Sequence, residues 1–192
     1  MSWQDVLDIL GLSSTLIREE LNRACSGRRV RILEVGSWHG STAVAMCYGN
    51  DVQHIDCVDN FSEFGGEADT LRETCRRFSM PATVHDVDFW KMPASQFDGR
   101  TFNVYLYDGP HDREHHAAEL ERALPYLERE FLYMVDDFSW PRVREGCIEG
   151  VQRLAGRVAI DRAVELQSFT QNDAAGYWNG MWMAWMRKVG DT

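Results

Sequence analysis

Lysine is nearly missing from these 192 residues: Lys91 and Lys188 stand alone against 18 arginines, a bias that carries no functional content. Basic residues of both kinds number 20 against 30 Asp and Glu, for a formal net charge of −10. A field of that sign repels phosphate backbones and argues against a nucleic-acid partner. Cysteine is scarce too. Cys25, Cys47, Cys57, Cys75 and Cys147 are odd in number, widely spaced and never arranged as C-x-x-C, which excludes a disulfide framework and a zinc knuckle and leaves reduced thiols. Glycine and proline, at 15 and 5, are too few for a collagen-like or low-complexity chain. No apolar run approaches the roughly 20 residues that span a bilayer, and the start, Met1-Ser2-Trp3-Gln4-Asp5, has neither a basic nor a continuously apolar stretch. The expectation is a cytoplasmic protein without a membrane partner. What is present, 44% hydrophobic residues and seven tryptophans, suits one compact core, so residues 1–192 are expected to form a single domain.

Residues 1–28 carry two short helical patterns, capped by Ser2 and by Ser13 or Ser14, whose apolar stripes should pack on a larger core. From residue 30 strand and helix patterns alternate. Strands are predicted at 30–35, 52–58, 82–87, 102–107 and 131–135, and helices at 41–48, 67–78 and 113–127, with another starting near Pro141. Val30, Ile32, Leu33 and Val35 make the near-continuous apolar run of a strand buried on both faces. Five such repeats imply an α/β fold, a doubly wound and mostly parallel Rossmann-like sheet. Two further strands at 163–169 and 180–189, joined by a polar loop too short for a crossover helix, complete seven as an antiparallel hairpin.

Ligands of such sheets sit outside the carboxyl ends of the strands, so function is to be read there. Glu34-Val35-Gly36-Ser37-Trp38-His39-Gly40-Ser41-Thr42 places two glycines four apart between strand and helix, where a ligand can approach the backbone. The full G-x-G-x-x-G spacing for a dinucleotide pyrophosphate is missing. Asp59, with Asn60 beside it, ends the next strand and can accept hydrogen bonds from both hydroxyls of a ribose. Together they indicate an adenosine-containing ligand. From about residue 30 onward the chain resembles the class I S-adenosylmethionine-dependent methyltransferases, whose sheet ends in the same hairpin. The resemblance implies that Glu34, Gly36, Ser37 and Gly40 form the cofactor loop, that Asp59 and Asn60 meet the ribose, and that Asp88 and Phe89 meet adenine, with Asp86 as the alternative to Asp88.

Asp108 ends the fourth strand and Asp136-Asp137 the fifth. Three carboxylates crowded at one sheet edge repel each other unless protons or a cation intervene, and an all-oxygen set favours a hard divalent ion such as Mg²⁺. Here the resemblance narrows to metal-dependent small-molecule O-methyltransferases, catechol-type and macrocin-type, although Asp108-Gly109-Pro110-His111 looks more like the D-G-x-H segment of a broad methyltransferase group. It implies Asp108, Asp136 and Asp137 as metal ligands and Asp108 or His111 as the base that takes the acceptor's proton. Trp38, Trp140, Tyr177 and Trp178, with Gln171, Asn172 and Asp173, are expected to form the acceptor pocket near the hairpin loop. No large inserted lid is present, so either the acceptor is small or a second copy of the chain closes the site.

His111-Asp112-Arg113-Glu114-His115 also spells H-x-x-E-H, the pattern of inverted zinc proteases. A zinc hydrolase is therefore the alternative, although Pro110 places His111 at a strand-to-helix turn; Glu114, His115, His116 and Glu119 then read as one solvated helix face. A non-catalytic S-adenosylmethionine-binding module is the third reading.

Overall fold

The computed structural model describes residues 1–190. Strands β1 (Arg29–Val35), β2 (Asp51–Asp59), β3 (Ala82–Asp86), β4 (Phe102–Tyr107), β5 (Leu127–Asp136), β6 (Val158–Leu166) and β7 (Met181–Lys188) form one sheet in the order β3-β2-β1-β4-β5-β7-β6. The first five are parallel, and β7 pairs antiparallel with both β5 and β6. This is the predicted architecture. β6 therefore runs in the same direction as β5, and the hairpin loop returns to the carboxyl edge of the parallel strands.

Alternation along each strand sends side chains to two cores. Ile32, Val104, Leu106, Leu132 and Met134 face α2 (Thr15–Cys25), α3 (Ser41–Cys47) and α4 (Ala68–Arg77). Leu33, Val35, Tyr105, Tyr107, Tyr133 and Val135 face α5 (Arg113–Ala123) and α6 (Pro141–Arg153). Chain order reverses between β1 and β4, which opens the crevice where such sheets bind ligands. The short α1 (Trp3–Leu7) is capped by Ser2 and α2 by Ser14. Arg18 of α2 donates to the carbonyls of Val6, Leu7 and Ile9, tying the end of α1 to α2. No helix among the described residues is long and apolar enough to cross a membrane.

Three elements differ from the sequence reading by more than one residue at a boundary. The α5 helix stops at Ala123 because Pro125 follows, in a 3₁₀ turn over Leu124–Tyr126. β5 then starts at Leu127 rather than at 131, its polar Glu128 paired with Arg31 and Glu130 in register with Arg187. β6 begins five residues before 163 and ends three before 169. It is an edge strand whose Asp161, Arg162 and Glu165 point to solvent or to ion pairs, so no apolar alternation marks it.

Candidate active site

A cavity of about 830 Å³ lies at the carboxyl ends of β1, β2, β4 and β5. Two backbones meet beneath it. Gly36, at φ 89°, sits so close to the end of β4 that a Cβ would lie 1.8 Å from the Asp108 carbonyl oxygen. Gly36 N–H donates to the Val58 carbonyl and Asp108 N–H to the Val35 carbonyl, so the Val35-Gly36 pair joins the three strand ends. Gly40 serves packing instead: at φ 86° it opens α3, and a Cβ there would press on Leu71 of α4 at 2.7 Å. Neither Gly40 nor Glu34 lines the cavity. Glu34 lies fully buried behind the loop and accepts the Thr42 hydroxyl at 2.7 Å. Burial pushes its carboxyl up to about 7 against the pull of the Thr42 hydroxyl. Its place is to hold the start of α3.

The Asp59 carboxylate organises the adjoining wall. One oxygen accepts the Trp38 N–H at 2.7 Å and the other the Phe61 N–H at 2.6 Å, so the loops after β1 and β2 are pinned to the same acid. Each oxygen keeps a lone pair for a ribose hydroxyl. Ser37, 3% exposed, lines the cavity with an unpartnered hydroxyl, and Asn60, Asp88 and Phe89 line it too. Asp86, the alternative to Asp88, does not line it. Asp88 accepts the Trp90 N–H and caps a 3₁₀ turn, giving that wall a fixed backbone. Volume, acid and free hydroxyls fit an adenosine-based cofactor.

On the other wall His111 stands between two acids, its Nε2 3.3 Å from Asp108 Oδ1 and 3.0 Å from Asp137 Oδ2. One ligand atom from each of the three lies within 4.8 Å of the others, close enough to share a cation. The third member is His111, not the predicted Asp136. As the last residue of β5, Asp136 falls on Met134's side of the sheet, whereas Asp137 turns back through φ 54° to reach His111. Asp136 still lines the cavity, 4% exposed, with Oδ1 unpartnered; burial and the charges of Asp108 and Asp137 hold its carboxyl well above the ordinary range. Burial and the Asp137 charge raise Asp108 to about 6 despite its bond to His111. Burial works to lower His111, but its bonds to the two acids outweigh this and raise it to about 10.

The zinc-protease spacing is not realised. His111 precedes α5, Asp112 caps that helix, and His115 pairs with Asp112, so no helical pair of histidines faces one point. Nor is α5 solvated along the predicted face. Glu114 is exposed and His115 partly so, but His116 and Glu119 are fully buried beneath α6. His116 packs edge-on to Tyr107, and Glu119 accepts the Tyr133 hydroxyl.

Trp38, Trp140, Trp178, Gln171 and Asn172 line the cavity as predicted, while Tyr177 packs into the α2–α4 core and Asp173 turns inward to the N–H groups of Ala175 and Gly176. Trp140 meets His111 edge-on at 5.1 Å. Sequence reasoning missed Leu12 and Ser13, Phe61 to Phe64, Arg142 and Asn179. The first two come from the link between α1 and α2, and nothing in the sequence says which part of that segment reaches the crevice. Five of the seven non-glycine residues with positive φ, Trp38, Phe61, Asp137, Asn172 and Trp178, line this cavity. Backbone strain of this kind persists where the surroundings over-determine it, and its concentration here marks the functional site.

Residues 33–138, more than half of the chain, match the family model described as a methyltransferase domain. The chain belongs to that methyltransferase family. No curated protein matches it by sequence. Among solved structures it is similar to an O-methyltransferase from Bacillus cereus in complex with S-adenosylhomocysteine, at 18% identity and TM-score 0.66, covering 96% of this chain and 90% of that one. It is also similar to the O-methyltransferase TomG from Streptomyces achromogenes, involved in tomaymycin synthesis and solved with S-adenosylmethionine, at 16% identity and TM-score 0.63, covering 98% and 85%. The cofactor-bound Rv0187 from MTB matches at 16% identity and TM-score 0.60, covering 94% and 84%. The protein is thus a methyltransferase by family, with the class I fold of these solved enzymes. The non-catalytic reading gives way to an enzyme.

Proposed function

We propose that this methyltransferase transfers its methyl group to a hydroxyl of a small molecule, aided by a divalent cation at Asp108, His111 and Asp137. The observation that carries the reading is this trio of convergent donors on the cavity wall opposite the ribose acid. Bound S-adenosylmethionine supplies a methyl already activated on its sulfonium, and a bound divalent cation supplies positive charge against the acceptor oxygen. The residues supply alignment and a proton acceptor. Asp59, held in place by the Trp38 and Phe61 N–H groups, would bind the nucleoside end of the cofactor. Trp140 and Trp178 wall the acceptor side with flat apolar surface.

Of the two candidate bases, Asp108 fits better. A carboxylate that holds the cation through one oxygen keeps the other to accept a proton, whereas an imidazole that ligates the cation has no second lone pair to offer. His111, raised to about 10 between its two acids, is charged while no cation is bound, and gives up that proton to serve as a neutral nitrogen ligand when one binds. As the acceptor oxygen forms its bond to carbon, the carbon–sulfur pair leaves with the cofactor product and the hydroxyl proton goes to Asp108. Two carboxylate oxygens with one imidazole nitrogen suit Mn²⁺ better than Mg²⁺, whose preference is for oxygen throughout.

The test is methyl transfer from labelled cofactor to a catechol-type diol with Mg²⁺, Mn²⁺ or a chelator. The chelator should abolish formation of the methyl ether, and Asp137→Asn should cut transfer by at least about 100-fold, the size of losing one electrostatic element of a transition-state site. In calorimetry the same variant should lose Mn²⁺ binding and keep affinity for S-adenosylhomocysteine. Full transfer in chelator, with Asp137→Asn unimpaired, overturns the metal.

A further inference from the structure

A second cavity of about 350 Å³ adjoins the first, and Trp140, Arg142, Gln171 and Asn179 line both. Their shared wall is the start of α6 and the end of the hairpin loop. Seven carboxylate residues line the main cavity, and Arg142 is the one Lys or Arg among the described lining residues of either. Other arginines here are engaged: Arg144, two residues along α6, forks onto Glu165, and Arg113 reaches across to Glu149. Arg142 makes no ion pair among the described residues. It sits in the first turn of the 13-residue α6, whose N-cap Trp140 offers no side-chain bond, so the positive end of the helix adds to the guanidinium charge. The mouth of the second cavity carries Phe169, 91% exposed, an apolar surface with nothing packed on it among the described residues.

We infer that the methyl acceptor carries a carboxylate, which Arg142 binds in the second cavity while the reacting hydroxyl faces Asp108. This rests on the hydroxyl-transfer reading above. A guanidinium matches a carboxylate with two parallel hydrogen bonds, and a single cation beside a strongly acidic cavity balances one negative charge but not the two of a phosphate monoester. Asp108 and Asp137 already occupy the inner wall, so an anionic group avoids repulsion only at the outer end, where Arg142 is. Trp140, shared by both cavities, would lie along the acceptor body between its two polar ends. Arg142 is thus the residue that selects acids over their neutral derivatives.

The experiment uses the enzyme with S-adenosylhomocysteine and Mn²⁺ and compares 3,4-dihydroxybenzoate with its methyl ester by calorimetry. The acid should bind at least tenfold more tightly than the ester to the native enzyme. Arg142→Ala should erase that preference and Arg142→Lys retain part of it, with melting temperature and S-adenosylhomocysteine affinity unchanged in both. Equal binding of acid and ester, binding of neither, or a preference that survives Arg142→Ala overturns the inference. Methyl transfer measured alongside separates the two proposals. Transfer to the ester by Arg142→Ala upholds hydroxyl methylation whatever Arg142 does. An Arg142-dependent preference for the acid without transfer to either probe tells against hydroxyl methylation and leaves the carboxylate site standing.

Discussion

At the ends of β1 and β2 the acids are met by fixed donors, Asp59 by the N–H groups of Trp38 and Phe61 and Glu34 by the Thr42 hydroxyl. At the ends of β4 and β5 the acids are met mainly by one another and by a single imidazole, and Asp136 Oδ1 has no partner at all. In the first half each acid is held by at least one backbone N–H or hydroxyl donor, although Glu34 Oε2 and the Ser37 hydroxyl stay unpartnered. The second is held under electrostatic tension that protons or a cation relieve. That contrast suits the two duties of a methyltransferase, a cofactor site of constant shape and a reaction site whose charge balance changes with what enters it. The tension continues underneath, where Glu119, buried among tyrosines against β4 and β5, is pushed by burial up to about 8 in spite of its bond to Tyr133.

The sharpest way to break the contrast is at the seam. Gly36→Ala would drive a methyl group into the Asp108 carbonyl and require φ 89° of an alanine, separating the two halves. A loss of about 3 kcal/mol or more is expected, seen as a collapse of the thermal midpoint and of cofactor binding together. A variant that melts like the native protein would mean the seam is not what holds the halves. Next in size, Asp59→Ala should weaken S-adenosylhomocysteine by about 1 to 3 kcal/mol, because charge-assisted bonds to the ribose go and the Trp38 and Phe61 loops lose their anchor. Calorimetry with unchanged Mn²⁺ affinity would confirm that the damage stays in the cofactor half.

Glu119 tests the other half through pH. Its folded carboxyl, raised to about 8, holds a proton that the unfolded chain gives up near its ordinary value, so its contribution is complete below about 4.5 and is lost as pH rises through about 8. Glu119→Gln, which keeps an acceptor for the Tyr133 hydroxyl, should flatten the decline in melting temperature over that window. Identical pH profiles for the two proteins would remove Glu119 as a source. The smallest effect is expected from Trp178→Ala, which should alter acceptor preference or raise its KM while shifting cofactor affinity by under about 0.5 kcal/mol, roughly twofold. Trp178 also packs on the α2–α4 core, so loss of the fold with acceptor preference intact would make it scaffold.

Much of this molecule was legible one residue at a time. Buried strands such as 30–35 and 102–107 announce themselves because both faces need apolar side chains, and Asp59, Asp108 and Asp137 stand out as acids ending such strands. β6 was misplaced because an edge strand satisfies its polar residues with solvent and leaves no alternating pattern.

What the sequence determined by itself is the order of strands and helices, the sheet edge at which function lies, and the chemical types gathered there, since these follow from local periodicity and from the fixed handedness of β-α-β connections. What only the tertiary structure decided is which neighbours share a point in space. Gly40 turned out to seat a helix, His116 and Glu119 to lie inside, His111 to stand where Asp136 was expected, and Arg142 to join two cavities. Each of these depends on the turn of one backbone dihedral or on a helix packed from far along the chain, and a linear pattern carries no record of either.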